Sequence, residues 1–390
     1  MLRTFSTDQR HLLLTVAFLE TLRTFGIFMA NPIVALYADH LGASNILAGI
    51  ALGAYGLTMA VFQFPMGRLS DSIGRKRAIF IAAIPFIAGN LLCFNPINIY
   101  GLIAGRLVAG AGTINAASIA MVQENVANEQ RSRAMAILGI PVGLGFLLGT
   151  AFGPEVFLLI GGKYIFLMIA ALTAIGIIPV FRLETIRPAS KFPQNHKGIG
   201  SRIIGLSLVG FLASAFVMMF FYFVPLRIAA AGSDFLLFFI IPVIVGGGIA
   251  VMLASVADRG HTVLLGLLSL IFLAASAPLI FSYTLPINVS LFSGTTVFIL
   301  GFSIYEIVFT PIASRMASAG NYGSSIGLLR SLQYLGQFTG SAVAGLLYIS
   351  SLSQSSLNFM IVALLLAALS AVLLYAVTGL REPSMAIGKT

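Results

Sequence analysis

"GRLSDSIGRKR", residues 67–77, places five charges in eleven positions of a chain that is only 9% charged and 58% hydrophobic. An apolar run precedes it and another follows. Working outward, apolar runs of about twenty residues recur throughout the 390 residues, and each is long enough to cross a bilayer as a helix. Lipid cannot hydrogen-bond a bare backbone, so spans must be helices or a closed barrel. Barrel strands alternate apolar and polar residues. These runs do not, and the helical reading wins. Twelve spans are expected, near residues 12–37, 44–66, 78–95, 98–123, 134–157, 164–181, 203–226, 235–257, 262–281, 287–313, 322–349 and 356–379. The first carries Glu20 and Arg23 in its middle and is too long for a cleaved leader. The expected class is an all-α integral membrane protein.

A net charge of +10 could suggest nucleic acid as a partner, but the placement of the charges excludes it. Only Lys163 and Arg227 fall on the side opposite the N-terminus, and Arg23, Arg106 and Arg330 lie inside spans. The other Lys and Arg residues sit in the tails or in loops on the N-terminal side. That asymmetry predicts cytoplasmic termini. Trp is absent, so Tyr37, Tyr100, Tyr283 and Tyr348 are the expected interface anchors at outer ends. Cys93 is the single cysteine; it is expected to be a small packing residue.

The longest polar stretch, "RLETIRPASKFPQNHKGIGSR" at 182–202, divides the spans six and six. It predicts an N-terminal six-helix bundle over 1–182, a cytoplasmic connector over 183–202 and a C-terminal six-helix bundle over 203–390. Traces of repetition agree. Asp258 in "ADRGH" follows Asp71 by about half the chain, and Pro225 follows Pro32 at a similar separation. Parallel six-helix repeats related by a pseudo-two-fold axis are a known transporter layout. Many of the 40 glycines lie within spans, where small residues allow close helix contact.

In the opening stretch, Gly67 and Gly74 are expected to make a tight turn, and Arg75, Lys76 and Arg77 to hold it in the cytoplasm. Asp71 then needs a partner such as Arg75. The stretch resembles the loop signature of the major facilitator superfamily through Gly67, Leu69, Asp71, Gly74, Arg75 and Lys76. "RLVAGAGTINAA" resembles the family's fourth span through Arg106, Gly110 and Gly112, and "ENVANEQRSRAMA" resembles its exit, with Glu124. The resemblance implies the major facilitator fold and a secondary carrier. It implies that Asp71, Arg75 and Glu124 form a cytoplasmic gate, with Gly67, Gly74 and the second-half Asp258 in supporting places. "GTAFGPEVFLLIGG" resembles the drug–proton antiporter signature of the fifth span through Gly149, Gly153 and Pro154, which predict close packing and a bend. Phe157 and Leu158 stand where the signature's closing glycines would be.

Ionisable groups in lipid are costly and tend to face cavities or partners. Glu20, Arg23, Arg106, Glu306 and Arg330 are the candidates for proton coupling, with Glu20 leading. The competing reading of Glu20 is a self-neutralised pair with Arg23, one helical turn away. Glu155 reads as an outer-rim residue. Phe28 and Asn31 of "FGIFMANP", with Met218, Phe221 and Tyr222 of "FVMMFFYFVP", are the expected cavity lining and suit an amphipathic solute. The expected activity is export of a small solute by alternating access, driven by proton influx. An uptake carrier for a sugar, organic acid or other metabolite is the alternative, and a non-transporting sensor or scaffold the alternative of another class. The four histidines fall at loops or span ends. No metal-ligand pair, phosphate loop or nucleophile elbow is present, so no enzyme, metal or cofactor is expected. The expected partners are the solute, protons and lipid, with the protein working as a monomer.

Overall fold

A computed structural model describes residues 5–127, 130–183, 200–232, 234–258, 261–282, 284–316, 322–348 and 352–378, with some side chains inside those helices left aside. Among the described residues every regular element is helical. The N-terminal elements are α1 (Thr7–Ala30), α2 (Val34–His40), α3 (Asn45–Ile73), α4 (Arg75–Phe94), α5 (Ile99–Ala111), α6 (Ile114–Asn125), α7 (Arg131–Ile160) and α8 (Gly162–Ile177), closed by a 3-10 turn, Ile178–Arg182. The C-terminal elements are α9 (Ser201–Ala230), α10 (Phe235–Asp258), α11 (Thr262–Ile280), α12 (Ile287–Met316), α13 (Tyr322–Leu347) and α14 (Leu352–Thr378). Ten described segments carry an apolar stretch long enough to cross a bilayer, with a shorter one, Leu237–Ala250, in α10. The twelve-span expectation counts α10 and α13 with these ten. Two compact units result, Met1–Phe192 and Pro193–Thr390. Most of the expected connector, residues 184–199, lies outside the described residues.

Local chemistry sets the ends. Ser6 and Gln9 form a reciprocal capping box at the start of α1. The Asn98 side chain accepts from the Tyr100 and Gly101 amides at the start of α5. The opening stretch is not a loop: α3 runs on through Gly67 to Ile73, and α4 begins at Arg75. Only Gly74 lies between them, at φ 91°, a conformation that favours glycine. Gly67 is therefore a helical residue, contrary to the expected turn. Polarity marks where a chain leaves lipid, but a helix continues as well in water. Two spans are broken rather than straight, at residues 31–33 between α1 and α2 and at Gly112–Thr113 between α5 and α6.

Each unit has the same neighbour pattern. In the first, α1 packs on α7 and α8, α5 on α3 and α4, and α4 on α8. In the second, α9 packs on α13 and α14, α12 on α10 and α11, and α11 on α14. The closest approaches repeat as well. A Cβ at Gly145 would lie 2.7 Å from the Thr21 carbonyl oxygen, and Cβ atoms at Gly149 and Gly153 would strike the carbonyls of Phe25 and Met29. Each contact advances four residues on both helices, so α1 and α7 run parallel in register. On α13, Gly336 and Gly340 meet the carbonyls of Phe211 and Ala215 on α9 in the same way. Gly336 and Gly340 follow Gly149 and Gly153 at the same spacing that separates Asp258 from Asp71. Pro32 and Pro225 stand further apart and do not share that register. Pro32 lies in the break after α1, whereas α9 continues through Pro225 to Ala230. α7 likewise remains helical through Pro154.

Tyr100 is 65% exposed, as an interface anchor should be, but Tyr37 is buried with its ring 5.8 Å from that of Phe166. Tyr348 packs near the Tyr222 and Phe223 rings, and Tyr283 lies outside the described residues. Cys93 is buried between α4 and α5, its thiol 3.6 Å from the Leu102 carbonyl. A Gly149→Leu variant is expected to lower the thermal unfolding midpoint in detergent, by an overpacking cost of about 1–3 kcal/mol. Gly143→Ala, where a Cβ meets nothing within 4 Å, is expected to stay near wild type. Circular dichroism melts compare the two.

Candidate functional site

At the junction of α3 and α4, Arg75 gathers three partners. One terminal nitrogen, Nη2, lies 2.5 Å from Asp71 Oδ1 and 2.5 Å from Glu124 Oε1. Nε donates to both Glu124 oxygens, at 3.2 and 3.1 Å. Nη1 donates to Ser70 Oγ, which in turn donates to the Gly67 carbonyl at 2.8 Å. The side chains of Arg75 and Glu124 are 13% and 14% exposed, against 55% for Asp71. The Arg75–Glu124 pair, forked and mostly screened from water, is thus the stronger of the two contacts. It ties α6 to the α3–α4 corner. Beside it, Lys76 Nζ donates to the Phe181 and Leu183 carbonyls at 3.0 and 2.6 Å, and Phe80 packs on Phe181 at 4.4 Å. Gln9 reaches the Asn125 carbonyl at 2.9 Å. The cluster expected from the sequence is brought together in Asp71, Arg75 and Glu124. Asp258 ends α10, and its side chain lies outside those described.

Inside the same unit, Glu20 and Arg23 are buried, at 5% and 6% exposure. Arg23 donates to Glu20 Oε2 from two nitrogens, at 3.0 and 2.7 Å. The other carboxylate oxygen, Oε1, accepts from Ser118 Oγ of α6 at 2.5 Å. Both oxygens of Glu20 are therefore engaged, one along α1 and one across to α6. Arg106 is also buried; it donates to the Ala51 and Leu52 carbonyls at 3.4 and 3.0 Å, and its guanidinium lies 5.1 Å from the Tyr55 ring centre. Among the described residues no carboxylate pairs with it. The cation is satisfied by carbonyl dipoles and a ring face.

In the C-terminal unit Glu306 and Arg330 form a looser pair, at 3.6 Å, with side chains 42% and 30% exposed. Of the expected cavity residues, Met218, Phe221 and Tyr222 are buried and Asn31 is 3% exposed. In the same stretch of α9, Phe220 stacks on Phe298 at 3.4 Å and Phe221 meets that ring edge-on at 6.1 Å. Phe28 is half-buried and packs edge-on against Phe146 at 4.5 Å. Glu155 is half-buried near the end of α7. Ser70 and Ser118 carry contacts that the sequence did not single out. Serine is common in membrane helices, and nothing in a linear pattern shows which hydroxyl faces a charge. Among the described residues no group of three His, Cys, Asp or Glu could hold a metal ion.

Twin helical units with charge held inside apolar rods define a multi-pass membrane protein of the carrier type. The profile of the Major Facilitator Superfamily matches residues 16–341, and the chain belongs to that family. It is 29% identical over 343 residues to the inner membrane transport protein YajR of Escherichia coli (strain K12), covering 83% of this chain and 74% of that one. It is 30% identical over 234 residues to the putative multidrug resistance protein MdtD of Yersinia enterocolitica, covering 54% and 50% of the two chains. Among solved structures, a POT family transporter in complex with 5-aminolevulinic acid superposes with a TM-score of 0.75 at 14% identity, over 94% of this chain and 96% of that one. The family and these relatives are membrane transporters, not enzymes.

Asp71→Asn is expected to abolish solute transport in membrane vesicles at near-normal expression. Glu124→Gln is expected to lower it at least tenfold, because Arg75 then loses its screened partner. Initial rates normalised to immunoblotted protein check both.

Proposed function

We propose that the protein exports a small amphipathic solute across the cytoplasmic membrane in exchange for protons, by alternating access, with both termini in the cytoplasm. The Arg75 cluster acts as a gate that holds one access state and releases in the other. Gly149, Gly153 and Pro154 form the close-packed, bending part of α7. Phe28 and Asn31 are the N-terminal unit's first candidates for contact with the solute. Similarity to a putative multidrug resistance protein supports export of an amphipathic compound. The basic residues on the N-terminal side support the orientation.

The single observation that carries proton coupling is the buried Glu20–Arg23–Ser118 node. A proton on Glu20 removes the charge that holds Arg23, and its departure restores the pair. The state of one carboxyl is thereby tied to the α1–α6 contact. Breaking a buried pair on one side costs about 3–5 kcal/mol, and a shift of two states from 1:99 to 99:1 needs about 5.5 kcal/mol. One such node therefore supplies much of the free energy required to bias a conformational switch. Arg106, buried against the Ala51 and Leu52 carbonyls and the Tyr55 ring, is the α5 candidate for the same coupling.

A transport screen in proteoliposomes under an imposed pH gradient tests the reading. Wild type is expected to accumulate an amphipathic cation or neutral dye against its gradient, with solute-stimulated proton flux. Glu20→Gln is expected to bind solute yet lose gradient-driven accumulation at least tenfold. Full accumulation by that variant would remove Glu20 from the coupling. Solute uptake without proton flux in wild type would favour the facilitative uptake alternative.

A further inference from the structure

α5 and α6 follow one another along one expected span but part at Gly112–Thr113. Gly112 (φ −81°, ψ 66°) and Thr113 (φ −78°, ψ 64°) are consecutive inverse γ-turns. The Thr113 amide donates to the Ala111 carbonyl at 3.1 Å, and the Ile114 amide to the Gly112 carbonyl at 2.9 Å. Thr113 is buried and its hydroxyl has no partner among the described residues, whereas Thr58 and Thr173, inside helices, bond the carbonyl four residues back. The α5 side of the junction is nested on α4. A Cβ at Gly105 would lie 2.5 Å from Cys93 Sγ, and one at Gly112 2.5 Å from the Ala82 carbonyl oxygen. α6 contains no glycine, and polar contacts hold it from two sides. Ser118 donates to Glu20 of α1, Glu124 accepts from Arg75 of α4, and the Asn125 carbonyl accepts from Gln9 of α1. The C-terminal unit has no such junction in its counterpart span. The spacing that relates the glycine contacts of the two units also relates Ser118 to Tyr305, and the helix that carries Tyr305, α12, is unbroken from Ile287 to Met316.

We propose that α6 is a rod that links the buried Glu20 node to the Arg75 cluster, turning at Gly112–Thr113, and that Ser118 is the positioning residue through which α1 sets that cluster. The proposal rests on the reading of the cluster as a gate and supplies its control. At about 1.5 Å per helical residue, Ser118 lies about 7.5 Å and Glu124 about 16.5 Å along α6 from Thr113. A swing of about 1 Å at Ser118 thus carries Glu124 about 2 Å. Arg75 does not follow that far, because Asp71 and Ser70 hold it to α3. Its 2.5 Å contact with Glu124 then opens beyond hydrogen-bond length. The linkage is reciprocal, since two contacts made by one body must each bias the other.

Hydrogen–deuterium exchange of the purified protein in lipid nanodiscs, read by peptide mass spectrometry on the monodisperse fraction, tests the linkage without a solute. Ser118→Ala is expected to speed amide exchange at least threefold in residues 120–125 and in residues 67–80, the corner that Ser118 does not touch. Ser118→Thr, which keeps the hydroxyl, is expected to stay near wild type. Thr173→Val removes an equally buried hydroxyl from α8 and is expected to leave 67–80 unchanged. In the reverse direction, Glu124→Gln is expected to speed exchange at least threefold in residues 114–119. A Ser118 that merely supports packing would loosen α1 and α6 but leave 67–80 as in wild type, and that result overturns the proposal. So does an equal effect of Thr173→Val on 67–80, or unchanged exchange at 114–119 in Glu124→Gln. If Ser118→Ala gives no monodisperse protein, the Glu124→Gln arm decides. The gate reading fails separately: if Asp71→Asn transports at the wild-type rate while Ser118→Ala loosens the corner, the linkage stands and the gate does not.

Discussion

Lipid offers a polar group no partner, and the whole structure follows from that constraint. Backbone amides close on themselves as helices. Charges that remain inside must find another charge, a carbonyl or a ring. Glu20 has Arg23 and Ser118, Arg106 has two carbonyls and the face of Tyr55, and Arg330 has Gln333 and Glu306. The Glu20–Arg23 and Arg330–Gln333 contacts each lie within one helix, and the other solutions need a second one. The charges therefore fix which helices must be neighbours.

Those neighbours must also come close enough to share partners. Hydrophobic attraction does not bring helices together in lipid, so contact depends on fit. The glycines of α7 and α13 let carbonyls of α1 and α9 approach where any side chain would collide. Parallel packing at that distance leaves adjacent helices free to meet the polar faces of α1 and α9. Ser118 and Tyr305 reach across from α6 and α12 to do so. Close packing and polar recognition are thus two aspects of one arrangement, built once in each unit.

The units spend the arrangement differently. The first closes its acid with two strong contacts in a buried site. The second shares one guanidinium between an amide oxygen at 3.2 Å and a carboxylate at 3.6 Å. At the end of the first unit, outside the apolar rods, Arg75 is screened with Glu124 while Asp71 stays exposed. Each site couples a side chain's charge state to a contact between helices. A carrier of the Major Facilitator Superfamily needs that property, because transport depends on helices changing partners in response to what is bound.

The sequence by itself determined the class and the approximate spans, because apolar runs of membrane length admit few other readings. It also marked the cluster of Asp71, Arg75 and Glu124 through a resemblance, and the repeat spacing through Asp71 and Asp258. It misjudged the opening stretch as a loop, since polarity reports the solvent and not the backbone. It paired Pro32 with Pro225 in the wrong register, because helical prolines recur without a shared contact. It named Met218, Phe221 and Tyr222 as cavity lining but did not show that they are buried, because composition cannot tell a packed ring from an exposed one. Tertiary structure alone decided that Ser118 and Tyr305 are counterparts, that Glu20 is buried and Glu306 half-exposed, and that α6 parts from α5 at Gly112–Thr113. Those facts depend on which face each helix turns to its neighbour. That facing is set by glycine contacts between segments far apart in the chain, which a linear pattern does not contain.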